Sequence, residues 1–243
     1  PNTSSESLCY NSIMSQKNKV VVVTGASSGI GKETARLYLK KGYVLILNGK
    51  SAKKLEEFYN NENIDVVSGD IASEDVQSKI RELVEKKRGR IDILVNNAGI
   101  TYIQPFEDNT RQQLDELIEI DLKAPILLTQ KLYPQMVKQG SGHIVIVNST
   151  AGKEGKANHT LYSAAKFGLS GFAQSLRQEA KKHNIRVTSF HPGGVKTSLY
   201  DNLKDKPDVS TFMEPQKIAE VLVYLTETEG LSPDEIVINR MSK

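Results

Sequence analysis

The chain has 243 residues, 38% of them hydrophobic and 25% charged, a composition that suits one folded α/β domain with a sizeable core. The net charge is +3 at pH 7, and the basic residues are scattered, which argues against a nucleic-acid groove or a membrane patch. The single cysteine, Cys9, excludes an intrachain disulfide framework and a cysteine-based metal cluster. No apolar run approaches the roughly 20 residues of a membrane span and the start lacks a leader pattern. The expectation is a soluble cytoplasmic protein in a reducing compartment.

In chain order, residues 1–16 are polar and aperiodic and predict a flexible N-terminal arm, with Met14 a candidate start; the folded domain is expected over 17–243. Apolar runs at Val20 to Val23, Val44 to Leu47, Ile64 to Val67, Ile91 to Val95, Ile144 to Val147, Ile185 to Phe190 and Ile236 to Ile238 predict seven strands. Helical patterning falls between them, at Thr34 to Lys41, Glu74 to Lys87, Arg111 to Val137, Leu161 to His183 and Pro215 to Thr226. This alternation predicts a single-domain, doubly wound, mostly parallel seven-stranded sheet with helices on both faces. Ligands of such sheets bind beyond the carboxyl ends of the strands, so functional motifs should follow strands.

The first motif does. "VVVVTGASSGIGKETA" runs a strand into a turn containing Gly25, Ser27, Ser28, Gly29, Ile30 and Gly31, then into helical sequence. Glycines there permit positive φ and close backbone approach, and the helix N-terminus offers N–H groups to a phosphate. The spacing G-x-x-x-G-x-G differs from the commonest dinucleotide fingerprint, and a tight structural turn alone would also explain it. In "LYSAAKFG", Tyr162 and Lys166 are four apart and stack on one helix face. An ammonium beside a phenol favours its anion, so Lys166 is expected to make Tyr162 more acidic and fit for proton exchange with an alcohol or carbonyl oxygen. Ser149, after "HIVIVN", is placed to donate a hydrogen bond to that oxygen. A half-buried ring beside a snorkelling lysine is the structural alternative.

"TGASSGIG", "NNAG" at Asn96 to Gly99, Ser149 before Tyr162, "YSAAK" and "PGGVKT" at Pro192 to Thr197 occur in order, and together the pattern resembles the short-chain dehydrogenase/reductase family from Lys19 to about Asn239. The resemblance implies a Rossmann fold and an oxidoreductase with Ser149, Tyr162 and Lys166 as catalytic residues, Lys166 also holding the nicotinamide ribose. It implies further cofactor contacts from Asp70 and Ile71 at the adenine, from Asn96, Ala98 and Gly99, and from Pro192, Gly193, Val195 and Thr197 near the nicotinamide. It also implies a homo-oligomer, dimer or tetramer, because the Tyr162 helix commonly forms a subunit interface. Asp121 stands where the family usually has an asparagine that supports a proton-relay water. The substitution predicts a working enzyme with altered pH dependence.

Cofactor choice is read after the second strand, where Gly49 and Lys50 replace the acidic residue that would bind a ribose 2′-hydroxyl. Lys50 can instead pair with a 2′-phosphate, so NADP(H) is expected, with NAD the alternative. The small-molecule substrate is expected to be a carbonyl or secondary alcohol, of the simple carbonyl or 3-oxoacyl/3-hydroxy acid type, since the ending "PDEIVINRMSK" resembles that of reductases of small carbonyl compounds and 3-hydroxy acids; it is expected to be lined by Tyr102, Phe106, Lys153, Glu154, His159 and Tyr200, with residues 198–215 as a lid. His143, His159, His183 and His191 lack metal-ligand spacing, so no metal is expected. A serine hydrolase using Ser149 would need a G-x-S-x-G elbow, which "VNSTAG" lacks. A redox sensor that binds NADP(H) without turnover and an NAD-dependent alcohol dehydrogenase are the remaining readings.

Overall fold

A computed structural model describes residues 18–201, 203–228 and 230–241. The expected arm at residues 1–16 lies outside the described residues. Seven strands, β1 (Val20–Val23), β2 (Val44–Gly49), β3 (Ile64–Ser68), β4 (Ile93–Asn96), β5 (Gly142–Val147), β6 (Ile185–Pro192) and β7 (Glu235–Ile238), form one sheet in the order β3-β2-β1-β4-β5-β6-β7. Every pairing is parallel, including β7, so the sheet is wholly rather than mostly parallel. The connections are helical: α1 (Gly29–Lys40), α2 (Ala52–Leu55), α3 (Glu74–Glu82), α4 (Arg111–Ile118), α5 (Ala124–Gln139), α6 (Thr160–Ala180) and α7 (Pro215–Glu227). Among the described residues no helix is long and apolar enough to cross a membrane.

Alternation of side chains divides the core into two layers. Val20, Val22, Ile46, Leu94, Ile144 and Ile146 join a cluster with residues of α3, α5 and α6. Val21, Val23, Leu45, Leu47, Val95 and Val145 join another with α1 and α7. Burial on both faces explains why the central strands read as unbroken apolar runs. Each fully buried valine, leucine or isoleucine contributes roughly 1.5–3 kcal/mol, so these two layers dominate stability.

Two expected helices are divided. Arg111 to Val137 is α4, a π-helical turn at Glu119–Lys123, and α5. Glu74 to Lys87 is α3 followed by a π-helical turn at Leu83–Arg88, closed by Gly89 at φ +70°. A wide turn shifts the register of side chains without interrupting the apolar pattern, which hides it from periodicity. The start of α4 is held by a capping box: Thr110 Oγ1 accepts from Gln113 N at 3.2 Å, and Thr110 N donates to Gln113 Oε1 at 2.9 Å. Helix α1 begins at Gly29, five residues before the apolar pattern at Thr34, because the glycine turn itself enters the helix.

Candidate active site

The strand order reverses between β1 and β4, and a cleft of about 890 Å³ opens beyond the carboxyl ends there. It is lined by the Gly25 turn, Asn48–Lys50, Gly69–Ala72, Asn97–Ile103, Val147–Ala151, Tyr162, Lys166 and Pro192–Val195. Six different strand ends thus feed one groove.

At its floor lie Ser149, Tyr162 and Lys166. Ser149 follows β5, and its Oγ accepts from Ala151 N at 3.1 Å, leaving the hydroxyl proton free to point onward. Tyr162 and Lys166 come from consecutive turns of α6, and the Lys166 ammonium lies 5.4 Å from the Tyr162 ring centroid. Asn148 braces this helix: its Nδ2 donates to Lys166 O at 3.1 Å and to Ser170 Oγ at 3.0 Å. Gly152 lets the helix come close, since a Cβ there would lie 2.7 Å from Lys166 O.

The π-helical turn carries Asp121 into this floor. Its Oδ1 accepts from Ile100 N at 2.8 Å, and its Oδ2 makes an ion pair with Lys166 Nζ at 3.0 Å. The two side chains are 0% and 4% exposed, so solvent does not screen the pair. Burial pushes the Asp121 carboxyl up, opposed by Lys166 and the Ile100 N–H. Burial works to lower Lys166, but Asp121 and Tyr162 together outweigh it and hold the ammonium above its ordinary value. The expected acidification of Tyr162 is not what the structure has. Burial raises the phenol, Asp121 adds to the rise, and Lys166 and a hydrogen bond from Ser149 only partly offset it. The physical reason is burial first and charge second: the Lys166–Asp121 pair is neutral as a whole, wherever its proton sits, so the cation is too weakly felt at Tyr162 to offset the cost of burying a phenolate.

The other end of the cleft fits an anion. Gly25 and Gly29 adopt φ +67° and +57°, and a Cβ on Gly29 would lie 2.8 Å from Thr197 Cγ2. Ser28 caps α1 with its backbone alone, and no acidic residue occupies the first turn, so the leading N–H groups face the cleft without a side-chain competitor. Lys50 and Asp70 sit beyond, and they pair with one another at 2.8 Å. That pairing holds Asp70 below the usual carboxylate range despite the opposing effect of burial. A glycine-opened helix end, a cation near it and the hydroxyl-phenol-amine floor fit a nicotinamide dinucleotide laid along the groove.

The expected contacts Gly25, Ser27, Ser28, Gly29, Ile30, Lys50, Asp70, Ile71, Ala98, Gly99, Pro192, Gly193, Val195 and Thr197 all line the cleft. Asn96 does not: its Nδ2 donates to Thr129 Oγ1 at 2.9 Å, behind the sheet. Asn97 takes the cleft side and ties β4 to the glycine turn, its N and Nδ2 donating to Thr24 Oγ1 and Thr24 O, both at 2.9 Å. Strand alternation was the signal for that exchange. Gly31 also lies off the groove; a Cβ there would stand 2.5 Å from Gly25 O, so its role is close packing. Of the expected substrate lining, Tyr102, His159 and Tyr200 face the cleft. Phe106 is 66% exposed, Glu154 is exposed, and Lys153 turns to Glu235 at 2.5 Å. Lys156 and Arg240, which the sequence analysis does not name, also line the cleft, as does Phe212 from the expected lid; Lys156 is open to inference from its place between Ser149 and Tyr162. Among the described residues no three metal-binding side chains converge.

Comparison with known proteins agrees with this geometry. A family model described as short chain dehydrogenase matches residues 19–208. An uncharacterized oxidoreductase of Staphylococcus aureus is 31% identical over 225 residues, covering 91% of this chain and 96% of the relative. A 3-oxoacyl-[acyl-carrier-protein] reductase of Thermotoga maritima is 32% identical over 230 residues, covering 89% and 94%. The crystal structure of a short-chain dehydrogenase from Streptomyces avermitilis superposes with a TM-score of 0.82 at 28% identity, covering 90% of this chain and 87% of that one. The chain belongs to the short chain dehydrogenase family and is an oxidoreductase on a Rossmann-like fold.

Proposed function

We propose that the protein transfers a hydride between NADP(H) and a carbonyl or secondary alcohol, with reduction the favoured direction in cells. The observation that carries this reading is the meeting of Ser149, Tyr162 and Lys166 on the floor of a groove whose other end presents the glycine turn and the N-terminus of α1. A nicotinamide bound there supplies or accepts the hydride. The protein's own residues handle the proton. During reduction the Ser149 hydroxyl donates to the substrate oxygen and polarises the carbonyl, and the Tyr162 phenol delivers its proton to that oxygen as negative charge develops. During oxidation the Tyr162 phenolate takes the proton back. Lys166, held charged by Asp121, stabilises that phenolate and binds ribose hydroxyls. Asp121 sets the net charge that Tyr162 feels.

NADP(H) is favoured because Lys50 stands at the end of β2, where a carboxylate would repel a 2′-phosphate. The Lys50–Asp70 pair favours the second reading, an NAD-dependent alcohol dehydrogenase, since it engages the cation that would hold the phosphate. The Thermotoga maritima relative, a 3-oxoacyl reductase by name, supports the carbonyl-reducing direction. Assembly into a homodimer or tetramer belongs to this reading on the strength of the family membership. The test is a panel of carbonyls and alcohols assayed with both cofactors by the absorbance of the reduced nicotinamide. Turnover with NADPH exceeding NADH supports the proposal. Tight nucleotide binding with no turnover of any member would replace it with a sensor role.

A further inference from the structure

Charge pairing around the cleft singles out two cations. Lys50 meets Asp70 and Lys166 meets Asp121, while the lining carboxylate Glu119 pairs with Lys123 at 2.5 Å. The remaining lining carboxylate, Glu116, accepts from Tyr102 Oη at 2.5 Å, and the charges it feels are Lys50 and Asp70, toward the phosphate end. Lys156 and Arg240 meet no carboxylate within 4.0 Å among the described residues, although Arg240 shares its field with Asp208, whose carboxyl it helps to lower. Lys156 Nζ instead donates to Thr150 Oγ1 at 2.9 Å, on the residue directly after Ser149. Its charge is therefore held at the reacting end of the groove, beside the hydroxyl that receives the substrate oxygen. His159, whose ring centroid is 6.4 Å from that of Tyr162, lies on the same segment.

The opposite side of this end is aromatic. Tyr200 and Phe212 meet edge to face at 5.4 Å, the Arg240 guanidinium lies 5.6 Å from the Phe212 centroid, and Arg240 donates to Thr211 Oγ1 at 2.5 Å. Burial, with the neighbouring Tyr162 adding to it, pushes the Tyr200 phenol up to about 12. A neutral Tyr200 is thus a hydrogen-bond donor at any working pH, and it adds no negative charge to the pocket.

Resting on the oxidoreductase reading above, we infer that the substrate is a small oxo or hydroxy acid whose carboxylate is bound by Lys156, with Arg240 reinforcing the positive field. Thr150 orients the ammonium, and the carboxylate joins Thr150 Oγ1 as its acceptor. The carbonyl then lies a few bonds away between Ser149 and Tyr162, which fits a compact 3-oxo or 4-oxo acid.

The test compares matched acids and esters, acetoacetate with methyl acetoacetate and levulinate with methyl levulinate, together with a neutral acetoacetyl thioester and simple ketones. The wild-type protein is expected to prefer each acid over its ester in kcat/KM by about ten- to a hundredfold, the range for a charge-assisted hydrogen bond. In Lys156→Met that acid-to-ester ratio falls about tenfold or more through KM, and Lys156→Arg restores most of it. The Michaelis constant for NADPH serves as the control for where the charge acts. Equal use of acid and ester, preference for the thioester, or a Lys156→Met effect that falls on the NADPH constant would overturn the inference while leaving the oxidoreductase reading intact. Absence of turnover across acids, esters, thioester and ketones with both cofactors would instead remove the reading on which it rests.

Discussion

Replacing Asp121 by asparagine changes one charge and almost no shape. The amide oxygen can still accept from Ile100 N, now 2.8 Å from Oδ1, so the π-helical turn should hold. What changes is the field at Tyr162. At an effective dielectric of about 20, the Lys166 charge 5.4 Å from the ring centroid stabilises the phenolate by about 3 kcal/mol. The Asp121 carboxylate, 3.0 Å from that ammonium, opposes it by a smaller amount, about 2 kcal/mol. In the variant the Tyr162 phenolate is the remaining partner that keeps Lys166 protonated, so removing that opposition corresponds to about a tenfold gain in phenolate population once local relaxation is allowed for. Alcohol oxidation needs the phenolate and its rate climbs with pH until Tyr162 is ionised, so the acid limb of kcat in Asp121→Asn should move to lower pH. At a fixed pH on that limb the variant should oxidise about tenfold faster. The assay is a pH series of kcat for an oxidised alcohol, with circular dichroism confirming the fold. A limb that stays in place, or moves to higher pH, would refute the neutral-pair argument.

Three further outcomes are expected. His143 is buried in β5 with Nε2 2.8 Å from Thr188 Oγ1, while Thr188 itself donates to Pro233 O at 2.6 Å; burial and Arg186 push its imidazole down to about 3. A histidine with its folded value below its unfolded one contributes stability that is complete above about pH 6.5 and lost as pH falls, roughly 2 kcal/mol by pH 5. Urea midpoints should drop over that interval and flatten in His143→Asn; an unchanged wild-type midpoint would contradict this. Gly29→Ala forces a Cβ at φ +57° to within 2.8 Å of Thr197 Cγ2, so it should cost about 1–2 kcal/mol and weaken NADPH binding in a fluorescence titration. Lys50→Glu should lower the NADPH-to-NADH ratio of kcat/KM by about tenfold or more, and an unaltered ratio would show that Lys50 does not read the 2′-phosphate.

Much of the fold was legible because parallel strands buried on both faces are continuous apolar runs, as at Val20–Val23, and because glycine spacing marks the turn into α1. Strand boundaries such as β6 running on to Pro192 were set by pairing with β7, which local sequence does not encode. The identities of Ser149, Tyr162 and Lys166 were readable from spacing, but the state of the phenol was not. It depends on Asp121, forty-five positions before Lys166, and on a π-helical turn that leaves the apolar pattern intact. Lys50 and Asp70 stand twenty positions apart on different strand ends, and only their approach in space reveals the ion pair between them. Phe106, Lys153 and Glu154 were drawn into the substrate lining by nearness in sequence to Tyr102 and Ser149, yet the chain turns their side chains outward.

The most direct test is Tyr162→Phe, assayed for turnover and for NADPH binding on the same preparation. Loss of the proton-carrying hydroxyl should lower kcat by roughly 10² to 10⁴-fold, with nucleotide affinity retained because Lys166 and the glycine turn are untouched. Turnover at the wild-type rate with intact NADPH affinity would contradict the assignment of Tyr162 as the acid and base.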